Sequence, residues 1–204
     1  MRILITAGPT REYIDPVRFI SNASTGRMGA ALAARARARG HHVTLILGPC
    51  EVVPPEVDEL VSVTSAADMF EAVLARFDGC DALIAAAAVS DYRPVERRTQ
   101  KIHKHHDRYV VELERTRDVL GEMSRRSRRQ VLVGFCLETE NLERRAREKL
   151  QGKNLDLVVA NGPEAVGAER VDALLVRRSG PPEAIAQATK EELADRILAA
   201  IGAA

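Results

Sequence analysis

The sequence predicts an α/β domain: a sheet with a parallel core, helices on both faces, and a protruding flap or hairpin. Three observations lead there. Short β-rich runs alternate with helical patterns along most of the 204 residues. The strand-like runs are apolar at successive positions, as strands buried on both faces are. One polar, basic segment, residues 93–106, breaks the alternation with no apolar period of its own.

Taken in order, Arg2 to Ala7 is apolar and β-branched and reads as the first strand. Gly29 to Arg39 places small apolar residues on one helical face and arginines on the other, and Gly40 stops it. Val43 to Leu47 is a buried strand ended by Gly48-Pro49, and Leu60 to Thr64 is a short strand. Ala66 to Phe77 is a helix with Met69, Val73 and Leu74 at helical spacing. Ala82 to Ala86 is a further strand, and Tyr109 to Leu113 returns to alternation. Asp118–Arg126 reads as a helix, Val131–Phe135 as a strand and Leu142–Leu150 as a helix. Leu155–Ala160 and Ala173–Arg177 read as strands, and Lys190–Ile201 as the last helix. One domain over 1–204, with a flap at about 93–116, accounts for the length.

Composition narrows the partners. Hydrophobic residues make up 46% and aromatics 3%, so Ala, Val, Leu and Ile must fill the core. Lys and Arg number 30 against 29 Asp and Glu, and this balance argues against nucleic acid held by bulk charge. Cys50, Cys80 and Cys136 have neither disulfide nor zinc spacing and read as reduced thiols in a cytoplasmic protein. Met1 to Thr6 is too short for a secretory core, and no apolar run approaches the roughly 20 residues that cross a bilayer.

The connection after the first strand carries the chemistry. It runs from Gly8 to about Gly26, about eighteen residues, and loops that long in compact domains are usually functional. At its end Ser24 and Thr25 can cap the following helix. Gly26 and Gly29 lack side chains, so backbone N–H groups can approach a phosphate at a helix N-terminus, with Arg27 adding a full charge. Capping with tight helix–sheet packing is the competing reading of the same residues.

Longer stretches are more specific. Ile5-Thr6-Ala7-Gly8-Pro9-Thr10-Arg11-Glu12, Asp15-Pro16-Val17-Arg18-Phe19-Ile20-Ser21-Asn22 and Ser24-Thr25-Gly26-Arg27-Met28-Gly29 resemble the opening of phosphopantothenate–cysteine ligases. Ala85 to Tyr92 is similar to the family's Ala-Ala-Val-x-Asp-Tyr segment. Lys101-Ile102-His103-Lys104 sits where the family carries a Lys-x-Lys-Lys flap. Val133 to Thr139 is similar to its Gly-Phe-x-x-Glu-Thr strand end, and Lys149, Lys153 and Asn161 complete the order.

The resemblance implies a Rossmann-like fold and a ligase of coenzyme A synthesis. A nucleoside triphosphate would activate the carboxylate of 4′-phosphopantothenate as an acyl-nucleotide, and the cysteine amine would then attack it. CTP is the co-substrate implied for a bacterial type, with ATP as the eukaryotic choice, and magnesium would arrive with the triphosphate. No flavin and no dedicated metal ligand is implied. Catalytic roles fall to Asn22, which would hydrogen-bond the acyl group, and to Lys101 on the flap. Nucleotide contacts fall to Gly8, Ser24, Gly26, Gly29, Asp91, Lys101, Asp118, Val119, Phe135, Lys149, Lys153 and Asn161. Substrate contacts fall to Arg18, Asn22, Ala87, Ala88 and Asp91, with Arg18 reaching from the neighbouring subunit of a homodimer. Small-molecule substrates, and neither nucleic acid nor membrane, are the partners expected.

The sequence departs from the family pattern at two places. His103 replaces a flap lysine, and Thr116-Arg117 precedes Asp118 where Asn-Pro is common. On an extended flap Lys101 and His103 would share one face and Lys104 the other. His103, His105 and His106 have no nearby Cys partner and do not read as a metal site. The basic run Ser124 to Arg129 has no interleaved aromatics and reads as a solvated helix end. No decarboxylase-like segment precedes Met1, which implies a stand-alone ligase or an excised domain. Three rival functions compete with the ligase. A nicotinamide-dependent reductase would need GxGxxG and an acidic residue after the second strand, and neither is present. Retention of Asn22 and Lys101 argues against a nucleotide-binding module without chemistry. The lack of a convincing catalytic His and lid Cys argues against a flavin decarboxylase.

Overall fold

The computed structural model describes residues 1–104, 108–126 and 129–202. The chain begins with β1 (Arg2–Ala7), a short hairpin of β2 (Arg11–Tyr13) and β3 (Phe19–Ser21), and α1 (Arg27–Ala38). Next come β4 (His42–Leu47), β5 (Glu59–Ser62), α2 (Ala66–Phe77) and β6 (Ala82–Ala85). A ribbon of β7 (Tyr92–Pro94) and β8 (Leu113–Arg115) precedes α3 (Val119–Arg125), β9 (Val131–Leu137), α4 (Leu142–Gly152) and β10 (Leu157–Asn161). A 3₁₀ turn (Pro163–Ala165), β11 (Arg170–Arg177), β12 (Glu183–Thr189) and α5 (Lys190–Gly202) complete it.

Eight strands form one sheet in the order β12-β11-β10-β9-β6-β1-β4-β5. The six from β10 to β5 are parallel, while β11 and β12 add antiparallel at one edge. Period-two alternation sorts β1 between two cores. Ile3, Ile5 and Ala7 join Leu32, Leu193 and Ile197 in the layer under α1 and α5. Leu4 joins Met69, Phe70, Met123 and Leu150 in the layer under α2, α3 and α4. Helices therefore cover both faces of a Rossmann-like sheet. No helix among the described residues is long and apolar enough to cross a membrane.

Local chemistry sets the helix boundaries. Ser65 caps α2 reciprocally: its Oγ accepts the Asp68 N–H at 3.1 Å, and the Asp68 carboxylate accepts the Ser65 N–H at 2.9 Å. Buried Glu12 on β2 accepts the Ala66 N–H at 2.8 Å and fixes the hairpin to the start of that helix. In α1 the buried small residues Gly29, Ala30, Ala31, Ala33 and Ala36 let the helix lie close to the sheet.

Several sequence expectations are corrected. The long connection after β1 is not an open loop but contains the β2–β3 hairpin. Ser24 and Thr25 do not cap α1: Gly26 holds the N-cap position at φ 78°, with no side-chain cap bond. Strand structure expected at Tyr109–Leu113 starts only at Leu113, where it pairs with β7 and closes the flap at its base. No regular strand includes Lys101–Lys104, and His103 lines a cavity together with Lys104 and not with Lys101, against the expected pairing of faces. Strand β12 has no counterpart among the expected elements, and β11 runs against the parallel core rather than with it. His105, His106, Ser127 and Arg128 lie outside the described residues.

Candidate functional site

Strand β1 has β4 on one side and β6 on the other, so the chain crosses from β1 to β4 on one side of the sheet order and from β6 to β9 on the other. A crevice opens at such a reversal, outside the carboxyl ends of the strands. Here it has two lobes that share Ala87, Asp91, Phe135 and Lys149. One lobe, about 530 Å³, runs past Asn22 and the start of α1 to Asn161 and Lys190. The other, about 430 Å³, runs between α2 and α3 to Asp118, Val119 and Lys153.

The residues between β6 and β7 form the floor. Ala88 N–H donates to Gly8 O at 2.9 Å and Thr10 N–H donates to Ala88 O at 3.3 Å, which ties the loops after β1 and β6 together. Asn22 Nδ2 donates to the same Ala88 oxygen at 3.0 Å, so the amide is held at the lip of the floor. The side chains of Ala87 and Ala88 are too small to fill the lobe above them.

Glycine is demanded here for two different reasons. Gly26 has φ 78°, and a Cβ there would come within 2.7 Å of Cys50 Sγ. At Gly29 a Cβ would meet Ala7 Cβ at 2.3 Å, so its absence serves the approach of α1 to β1. Gly8, at φ 75°, faces Gly48 O and Cys50 Sγ and does not line either lobe. Ser24 lines the larger lobe and accepts the Gly26 N–H at 3.4 Å.

Cations gather around the crevice. Lys149 donates to Phe135 O. Burial, and then the neighbouring Lys153, push its pKa down, against the pull of Cys136, Asp118 and Asp91. Lys153 pairs with Asp118 at 2.7 Å, and Asp118 also caps α3 by accepting the Gly121 N–H at 3.0 Å. Burial raises the Asp118 pKa, but the Lys153 bond and the Gly121 N–H outweigh it and leave the carboxyl lowered. Arg27 and Lys190 stand at the far end of the larger lobe. No motif points to Lys190; its one signal is a lysine opening a helix, where acidic residues are preferred.

The structure brings together Asn22, Ser24, Gly26, Gly29, Ala87, Ala88, Asp91, Phe135, Lys149 and Asn161 in one lobe and adds Asp118, Val119 and Lys153 in the other. It does not bring in Lys101 or Arg18. Lys101 is exposed and lines neither lobe. Arg18 lies beside the flap, where its guanidinium donates to Asp15 at 2.7 Å and to Ile102 O at 3.0 Å.

A Rossmann-like domain with a cationic, glycine-edged crevice at its switch point is the class that fold and site define. The chain belongs to the family described as the DNA/pantothenate metabolism flavoprotein C-terminal domain, which matches residues 1–204. It is 49% identical over 167 residues to the coenzyme A biosynthesis bifunctional protein CoaBC of Bacillus subtilis, covering 81% of this chain and 41% of that protein. The chain thus spans less than half the length of that relative. Its fold superposes on a crystal structure of the C-terminal domain of CoaBC with a TM-score of 0.85 at 40% identity, covering 98% of this chain and 93% of that one. A Cab2 variant in complex with phosphopantothenate-cysteine, 19% identical, shares the fold with a TM-score of 0.81 over 99% of this chain and 86% of that one.

Proposed function

We propose that this domain works in coenzyme A synthesis as a ligase that joins 4′-phosphopantothenate to cysteine through an acyl-nucleotide, with CTP as co-substrate. The observation that carries the reading is the two-lobed crevice. It offers cations and glycine turns to a triphosphate and, on the floor of the larger lobe, Asn22 and two alanines to an acyl group. Its likeness to CoaBC, a coenzyme A biosynthesis protein, and the phosphopantothenate-cysteine bound by a Cab2 variant of the same fold support the choice of substrate.

In the proposed reaction a carboxylate oxygen of phosphopantothenate attacks the α-phosphorus of the nucleotide. The bond to the β-phosphate breaks and pyrophosphate leaves. The cysteine amine then attacks the acyl carbon, the C–O bond to the nucleotide phosphate breaks, and the nucleoside monophosphate departs while the amine loses its proton. Magnesium travels with the triphosphate as part of the substrate. Both steps build negative charge, which fixed donors and cations stabilise best in a site that excludes water. Lys149 and Lys153 meet the nucleotide from α4 and its C-terminal end, and Phe135 packs against its base or ribose. Asn22 donates to the acyl oxygen without titrating, and Lys101 comes in from the flap when it closes. No electrons are transferred, so the reaction has no use for a flavin. Arg18 serves the neighbouring subunit of a homodimer, and the protein works in the cytoplasm.

Pyrophosphate release tests the reading: the purified domain, phosphopantothenate, magnesium and cysteine, with CTP compared against ATP. Substrate-dependent release with CTP is the expected outcome. Release with ATP alone keeps the reaction and overturns the nucleotide. Binding of nucleotide with no release under either overturns the ligase in favour of a binding module.

A further inference from the structure

Three cations line the larger lobe, Arg27, Lys149 and Lys190, and two of them, Arg27 and Lys190, contact the same short stretch of chain at its far end. Arg27, the first residue of α1, has one contact, from Nη1 to Gly167 O at 3.5 Å. Lys190, the first residue of α5, donates through Nζ to Ala165 O at 3.0 Å. The two accepting carbonyls belong to one loop, two positions apart, so both side chains converge on the same end of the lobe. Among the described residues neither cation has an ion pair with a carboxylate.

The position of Lys190 opposes its charge in three ways. It is half-buried, which burdens an ammonium group. Arg27 stands close enough to act as a like-charge neighbour, and with burial it depresses the lysine pKa, while Glu191 pulls the other way. It also sits at a helix N-terminus, where the macrodipole disfavours a cation. The helix needs nothing from it there. Thr189 already caps α5, accepting the Glu192 N–H at 3.1 Å while Glu192 accepts the Thr189 N–H at 2.8 Å. A cation kept where burial, a like charge and a dipole all work against it implies an anion that arrives from outside.

We propose that Arg27 and Lys190 form the subsite for the two terminal phosphates of the nucleotide, the part that leaves as pyrophosphate. The inference rests on the triphosphate chemistry proposed above and extends it to a residue that no motif marks. The N-terminus of α1, with Gly26 at its mouth and no acidic residue in its first turn, points into the same lobe. Arg27 offers a planar fork and Lys190 a compact charge to opposite sides of one diphosphate. Their mutual repulsion is relieved when the diphosphate binds, which adds to its affinity for the subsite.

The test measures binding, not turnover. Inorganic pyrophosphate, CTP and CMP are titrated calorimetrically into the wild-type domain and into the K190M, K190R and R27M variants, with melting temperatures recorded with and without each ligand. K190M and R27M are expected to weaken pyrophosphate and CTP by at least about tenfold, the loss of one charge-assisted bond. CMP binding stays unchanged and K190R retains most of the affinity. Unliganded K190M melts no lower than wild type, because an unfavourable charge has been removed. Wild-type pyrophosphate affinity in K190M overturns the assignment. So does an unliganded K190M that melts lower and loses CMP as strongly as CTP, since that marks a structural lysine. If the domain proves to lack ligase turnover but these differences persist, the ligase reading falls and the polyphosphate subsite stands.

Discussion

The carboxylate of Asp15 accepts the backbone N–H of Ile102 at 3.1 Å across 87 positions of sequence. Asp15 is buried in the turn of the β2–β3 hairpin and Ile102 follows Lys101 on the flap. The same carboxylate accepts the N–H groups of Val17 and Arg18 at 2.8 Å each, and Arg18 closes the ring by donating to Ile102 O at 3.0 Å. The hairpin thus determines where the flap backbone stands beside Lys101.

Asp15→Asn removes the charge that anchors this ring. Amide exchange at Ile102 should accelerate by at least about tenfold as the flap detaches locally. Turnover should fall by about tenfold to a hundredfold, since a group displaced by about 1 Å costs that much, while CMP binding holds. Unchanged exchange at Ile102 would show that the flap is positioned by something else.

The ring also has a pH range. Burial raises the Asp15 pKa, but the N–H groups of Ile102, Val17 and Arg18 and the Arg18 charge outweigh it, taking it from 3.8 to about 2. A carboxyl lowered in the folded state stabilises that state above its unfolded pKa, and the contribution is lost as pH falls through the folded value. Protection of the Ile102 amide should therefore hold above pH 3.8 and fade toward about 2. Asp15→Asn should abolish that dependence, and persistence of the acid step in the variant would assign it to another carboxyl.

Gly29→Ala separates packing from phosphate binding. The added methyl would stand 2.3 Å from Ala7 Cβ, and overpacking of this kind costs about 1–3 kcal/mol. Chemical denaturation should show that loss, and Ala7→Gly in the same chain should recover most of it. Failure of the second change to restore stability would contradict the assigned contact.

Asn22→Asp puts a carboxylate where an amide donates to Ala88 O at 3.0 Å. The donor to the acyl oxygen disappears and an acceptor faces an acceptor. Pyrophosphate release in the first half-reaction should persist while transfer to cysteine slows by about a hundredfold or more, as losing one such donor does. Equal slowing of both halves in rapid-quench measurements would remove Asn22 from the acyl position.

The parts of the fold legible in the sequence are those with continuous burial. Strands β1, β4, β6 and β9 are apolar on both faces, so their runs stand out against the helices. Strand β12 escapes because its buried residues, Ile185 and Ala188, are three apart rather than two: Gln187 takes φ 49° and the pairing with β11 shifts between Val171 and Ala173. The hairpin and ribbon strands have three residues each, too few for any period. At the site, motifs mark the residues on loops at the sheet edge. They cannot mark Lys190, which belongs to the last helix and enters the lobe only through the fold. Asp15 lies inside a motif, yet its bond to Ile102 is a long-range contact that local sequence does not encode.

Omitting cysteine isolates the step on which the ligase reading depends. In a rapid quench the domain is mixed with CTP, magnesium and 4′-phosphopantothenate alone. Close to one pyrophosphate per site should form, with a matching amount of acyl-cytidylate that cysteine then consumes. Pyrophosphate that appears only when cysteine is present, or none with either nucleotide, would contradict an acyl-nucleotide formed in this crevice.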